Sequence, residues 1–107
     1  MLRIYKDVQV MQGDAKAIFR RVAVHDRNLA QQLRRSAQSV ASNLCEGMAA
    51  RGGHRRNAYE AALREAEETL GTIFTAEQWG YLEADAIVLD RLDKIIKTLC
   101  RLTTPQT

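Results

Sequence analysis

The residues of this chain best equipped for chemistry are seven arginines in three groups: Arg20-Arg21, Arg34-Arg35, and Arg51 with Arg55-Arg56 beside His54. A guanidinium presents a planar fork of donors that matches the oxygens of a phosphate. Gathered on helix ends, such groups bind a nucleic-acid backbone by counterion release, with little sequence information and a steep dependence on salt. The competing reading is that they solvate helix ends and pair with carboxylates from the second half of the chain. Aromatic residues are poorly interleaved with them. Tyr5, Phe19, Tyr59, Phe74, Trp79 and Tyr81 mostly take seam or turn positions, so backbone contact is expected rather than base stacking.

A second set lies between two of these groups, in residues 32–47. Arg35, Ser39, Ser42, Asn43 and Glu46 recur at helical spacing, offset from an apolar set of Leu33, Ala37, Val40, Leu44 and Met48. Arg35 and Glu46 stand about 16 Å apart along a helix, too far to pair with one another. Each needs a partner elsewhere. Either Ser39, Ser42, Asn43 and Glu46 form a polar network that ties helices and subunits together, or the stripe lines an opening for a ligand.

Catalytic constellations are not evident. His25 and His54 are the only histidines, both in expected loops, and no His-Glu-x-x-His or Cys-x-x-Cys spacing offers a zinc site. Glu65, Glu67 and Glu68 do not converge on one point of a helix. Gly52-Gly53 stands between helices rather than after a strand, so a phosphate-cradling loop is not expected. The chain reads as a non-enzyme with no metal and no cofactor.

The elements that position these residues are four amphipathic helices. Ile4, Val8, Met11, Ala15, Ile18 and Val22 alternate steps of four and three, which predicts a helix over about 3–24. Asp26 or Asn28 then caps a second helix over 27–50. The glycine pair ends it. Tyr59, Leu63, Ala66, Leu70 and Ile73, with Phe74 one place off the seam, predict a third helix over 55–79, and Glu60 and Arg64 stand at i, i+4. Trp79-Gly80-Tyr81-Leu82 turns the corner. Val88, Leu92, Ile95, Leu99 and Leu102 predict a fourth over 84–102, ahead of a polar tail containing Pro105.

Helices of this length with short connections pack most economically as an all-α, up-down-up-down antiparallel four-helix bundle, one domain over residues 1–107. Such a bundle separates the two ends of the second helix, so the arginines form two patches on one subunit, which a symmetric ring would multiply into a belt. Apolar residues off the seams point to subunit contact. Val10, Ala17 and Val24 recur every seven residues on the first helix, and Leu89, Ile96 and Cys100 flank the stripe of the fourth.

Net charge is only +3, but residues 1–64 carry twelve Lys or Arg against five Asp or Glu, while residues 65–107 carry four against eight. A map divided into +7 and −4 favours a polyanionic partner or head-to-tail contact between copies. No apolar run reaches the about eighteen residues needed to span a membrane, and the first residues lack a secretory signal, so a cytoplasmic location is expected. Cys45 and Cys100 are expected to be reduced and packed.

Over residues 32–47 the chain resembles the four-helix-bundle family of proteins encoded in intervening sequences of bacterial 23S ribosomal RNA genes. That family's approximate pattern is Gln-Leu-Arg-Arg-Ala-Ala-x-Ser-Ile-Pro-Ser-Asn-Ile-Ala-Glu-Gly. Gln32, Leu33, Arg34, Arg35, Ala37, Ser39, Ser42, Asn43, Glu46 and Gly47 match it. Glu65-Ala66-Glu67 with Leu70, and Gly80-Tyr81-Leu82, extend the likeness to most of the chain. Ala41 replaces the family proline, which should straighten the second helix. Ala61-Ala62 replaces a frequent Gly-Ser, which should hold the third helix farther from its neighbour.

The resemblance implies a homo-oligomer, a pentameric ring, similar to the accessory variability protein of diversity-generating retroelements, which binds nucleic acid and a reverse transcriptase. The implication reaches Arg34, Arg35 and the matched polar residues; Arg55 and Arg56 are nominated by charge alone. Expected partners are therefore further copies of the chain, RNA or DNA, and a protein such as a polymerase. The alternative function is a protein–protein scaffold whose arginines serve subunit or partner contacts.

Overall fold

The computed structural model describes residues 2–104, so Pro105 and the end of the polar tail lie outside the described residues. Four helices follow in order: α1 (Leu2–Ala23), α2 (Arg27–Ala49), α3 (Gly52–Gln78) and α4 (Ala86–Thr103). The starts of α2 and α4 have a local cause. The Asp26 carboxylate accepts from the Leu29 N–H at 2.9 Å, and that of Asp85 from the Ile87 N–H at 2.7 Å, each satisfying a donor the helix cannot. Of the two residues expected to cap α2, Asp26 does so. Gly80, at φ 75°, follows α3 in the left-handed region that a side chain disfavours.

The boundary between α2 and α3 differs from expectation. Residues 51–54 were expected to lie between the helices, with α3 beginning near 55, but only Ala50 and Arg51 separate them. Gly52 makes the reversal itself at φ 57°, so the glycine pair opens α3 rather than merely ending α2. At the other end of the molecule α4 begins at 86, where Asp85 caps it, not at 84.

Consecutive helices contact one another, and α1 also contacts α4. As residue numbers rise on one helix they fall on its neighbour: Gly47 meets Tyr59 and Ser36 meets Thr69 between α2 and α3. These contacts and the short connections fit an up-down-up-down arrangement, 44 Å long and 22 Å across.

The α1 seam lies in the core as expected, with Ile4, Val8, Met11, Ala15, Ile18 and Val22 all buried. Leu33, Ala37, Val40 and Leu44 of α2 join it, with Leu92, Ile95 and Leu99 of α4. Fully burying each large apolar side chain contributes about 1.5–3 kcal/mol.

Helix α3 buries Tyr59, Ala66 and Ile73 of the expected seam, but its buried face is shifted toward small residues. Its buried face is Ala58, Tyr59, Ala62, Ala66, Thr69, Thr72, Ile73 and Ala76, while Leu63 and Leu70 lie half-buried at the margin and Phe74 is 48% exposed. Small side chains let the α3 backbone come close to α2, and Ala62 is wholly buried there. The closest approach is at Gly47, where a Cβ would stand 2.4 Å from Tyr59 Cε1. Leu102, expected on the α4 seam, is exposed at the helix end. Cys45 and Cys100 are free thiols, but both are exposed rather than packed, because each lies off its helix's buried stripe.

Candidate nucleic-acid interface

On α1, Gln12, Ala15, Lys16, Phe19 and Arg20 fall along one flank at helical spacing, and on α2 so do Arg34, Ala37 and Gln38. Antiparallel packing brings the two flanks face to face around a recess of about 420 Å³. Ala15 and Ala37 are both buried and short, so they leave room at the floor. The Gln12 side-chain amide donates to the Ala37 carbonyl at 2.8 Å and ties the two walls together. Lys16, Arg20 and Arg34 line this recess, and none of the three forms an ion pair among the described residues. Phe19, one place after the seam residue Ile18, is half-buried and lines it too.

The other arginines go elsewhere. Arg21, one residue from Arg20, lines a separate recess of about 240 Å³ with Asp14, Glu83 and Asp85 for company. Arg35 turns toward α3, where its charge opposes the upward push on the Glu68 carboxyl. That push comes first from a hydrogen bond with Glu65, then from burial and from the Glu65 charge. At the far end of α2, about 25 Å from Arg34 along the helix axis, Arg51 is exposed at the N-cap of α3. Arg55 Nε donates to the carbonyls of Gly47 at 3.2 Å and Ala50 at 2.9 Å, so its guanidinium closes the C-terminus of α2. Arg56 pairs with Glu60 at 3.1 Å. Glu60 thus pairs with Arg56, one turn before it, and not with the equally spaced Arg64. Of the seven arginines, Arg20 and Arg34 converge on this recess, and Lys16 completes their set.

The middle of the polar stripe, Ser39, Ser42 and Asn43, is satisfied within α2 itself. Asn43 Nδ2 donates to the Ser39 carbonyl at 2.8 Å and to Ser39 Oγ at 3.0 Å, and Ser42 Oγ donates to the Ser39 carbonyl at 3.3 Å. Glu46 is exposed. The polar tie between α2 and α3 is instead Thr69 Oγ1 donating to Ser36 Oγ at 2.8 Å, both buried. Its signal was present: Ser36 stands three residues after Leu33 and four before Val40, on the apolar stripe itself. The α1–α4 tie, Arg91 to Asp14 at 2.6 Å, was also missed. Of the residues nominated for subunit contact, Val10, Ala17 and Val24 are exposed, whereas Leu89 and Ile96 are half-buried against the core.

The profile of the family described as 23S rRNA-intervening sequence protein matches residues 2–104. The chain belongs to that family. A solved structure from Bacteroides thetaiotaomicron, a protein of unknown function from the S23 ribosomal protein family, superposes with a TM-score of 0.86 at 17% identity. The match covers 95% of this chain and 99% of that one, and it establishes the four-helix fold of this intervening-sequence protein. No curated protein matches the chain. Among the described residues, no helix is long and apolar enough to cross a membrane.

Proposed function

We propose that this intervening-sequence family member is a non-enzymatic, cytoplasmic protein that binds RNA or DNA backbone as a homo-oligomer, a pentameric ring. The observation that carries this reading is the α1–α2 recess, where Lys16, Arg20 and Arg34 converge with no carboxylate paired to any of them. Cations held together unpaired keep their donors for an external anion, and phosphate oxygens suit two guanidinium forks and an ammonium. Arg21, Arg35, Arg51, Arg55 and Arg56 contribute less, since each is shared with the chain's own groups or stands apart.

Three phosphate contacts per protomer predict a log–log salt slope of about −2.7 on duplex, hence an about 40-fold loss of affinity between about 50 and 200 mM salt. Fluorescence anisotropy with generic RNA and duplex DNA tests this. Arg20→Glu with Arg34→Glu should abolish binding and flatten the slope. Absence of binding at low salt, or binding that the double variant leaves intact, would refute the reading.

Exposed Val24, Trp79 and Ile87 favour a second reading, a scaffold that docks another protein such as a polymerase. Under it, Arg34→Glu dissociates the oligomer, and light scattering reads a drop in mass while nucleic-acid binding was never present.

A further inference from the structure

The α1–α2 recess is more than a charged surface. Its rim is cationic, but Ala15, Ala37 and the half-buried ring of Phe19 make part of its lining apolar, and the amides of Gln12 and Gln38 border it. A backbone phosphate uses the rim and leaves the apolar part empty. A nucleoside phosphate uses both. At about 420 Å³ the recess falls inside the about 300–1,000 Å³ range of sites that enclose small organic groups.

We propose that this recess receives one unpaired nucleotide of a single-stranded nucleic acid, its base against the Phe19 ring and its phosphates on Lys16, Arg20 and Arg34. The inference rests on the reading that the recess binds nucleic acid and adds which form of it is preferred. Every base has an apolar face that stacks on an aromatic ring, so this contact is indifferent to sequence. A base inside a duplex is paired and stacked on its neighbours, so a duplex reaches only the cationic rim. The fold therefore discriminates by strandedness. The seam reading of α1 hid this, because Phe19 follows the core residue Ile18 and its ring lies at the edge of the core stripe.

Anisotropy titrations of the full oligomeric protein test it, with three probes: a short single-stranded RNA, the same length of duplex, and a single strand with abasic positions throughout. The wild type should bind the single strand about ten-fold more tightly than the abasic strand, within the range reported for losing a base–aromatic stack. Phe19→Leu keeps apolar bulk against the core and removes the aromatic face. It should erase that ten-fold advantage and leave duplex and abasic binding unchanged, while Phe19→Tyr restores it. Thermal melts confirm that both variants are folded. Equal binding of intact and abasic strands by the wild type, or an equal loss on all three probes in Phe19→Leu, overturns the proposal. Arg20→Glu with Arg34→Glu serves as the separate control: if that variant binds every probe as the wild type does, the underlying nucleic-acid reading has failed and this inference with it.

Discussion

Gly47→Ala is the substitution whose consequence the packing defines most sharply. A Cβ at this position would stand 2.4 Å from Tyr59 Cε1 and 2.5 Å from Cδ1, distances that no relaxed carbon contact occupies. Tyr59 is 3% exposed, so its ring has nowhere open to swing. Overpacking of this kind costs about 1–3 kcal/mol. Against it stands the gain from replacing glycine by alanine within a helix, about 1 kcal/mol. The net expectation is a destabilisation of up to about 2 kcal/mol, a fall in Tm of several degrees for a domain of this size. Gly13→Ala and Gly71→Ala supply the comparison, because a Cβ at either meets no atom within 4 Å. Both lie inside helices, so each should stabilise by up to about 1 kcal/mol. Urea unfolding of the three variants reads the difference directly. Should Gly47→Ala stabilise as much as Gly71→Ala, the close approach of α2 and α3 is not what limits this position. A cycle with Tyr59→Leu locates the clash: the penalty of Gly47→Ala should largely vanish once the ring is gone.

Two further expectations concern polar groups between α2 and α3. Thr69→Val removes the donor to buried Ser36 Oγ and should cost about 1–2 kcal/mol, whereas Ser36→Ala with Thr69→Val should be close to neutral, since both partners then leave together; chemical denaturation of the single and double variants checks the non-additivity. The Glu68 carboxyl is held above its ordinary value of 4.5, by its hydrogen bond with Glu65 first, so protonation favours the native state. That stability is fully present below the ordinary glutamate value and is lost as pH rises through the raised one. Glu68→Gln should therefore match the wild type in acid and exceed it near neutrality by no more than about 0.5 kcal/mol, because the group is exposed. Tm measured against pH for both proteins tests the sign.

What was legible in the sequence follows from which physical quantity decided each feature. The α1 seam was legible because Ile4 through Val22 are buried for their apolar area, the property that periodicity reports. The α3 face was legible only in part, at Tyr59, Ala66 and Ile73, because the rest of its burial is decided by size. Ala58, Ala62, Ala66 and Ala76 with Thr69 and Thr72 carry little hydrophobic signal, yet they admit α2 closely, and the larger Leu63 and Leu70 are displaced to the edge. Gly52 was read as a terminator when its positive φ serves the start of the next helix. The arginine groups were legible as residues, but not how the structure divides them. Adjacent residues on a helix diverge by about 100°, so Arg20 and Arg21 face different recesses although the sequence writes them as a pair.

Connectivity explains how a modest net charge produces a directed one. Because consecutive helices are neighbours in space, the basic first half of the chain becomes the α1–α2 side of the bundle with the first turns of α3, and the acidic second half becomes the rest of α3 and α4. A connectivity that interleaved the halves would have set carboxylates across from Arg20 and Arg34. Here the carboxylates that neutralise arginines belong to other contacts: Asp14 holds Arg91, and Glu60 holds Arg56. The recess therefore keeps its charge because topology gathers the basic half of the chain on one side. Reversing a single acidic residue on α4, such as Asp93→Lys, should for that reason leave the proposed nucleic-acid affinity nearly unchanged at about 0.15 M salt, where the screening length is about 8 Å, while Arg34→Gln should remove one of the proposed phosphate contacts.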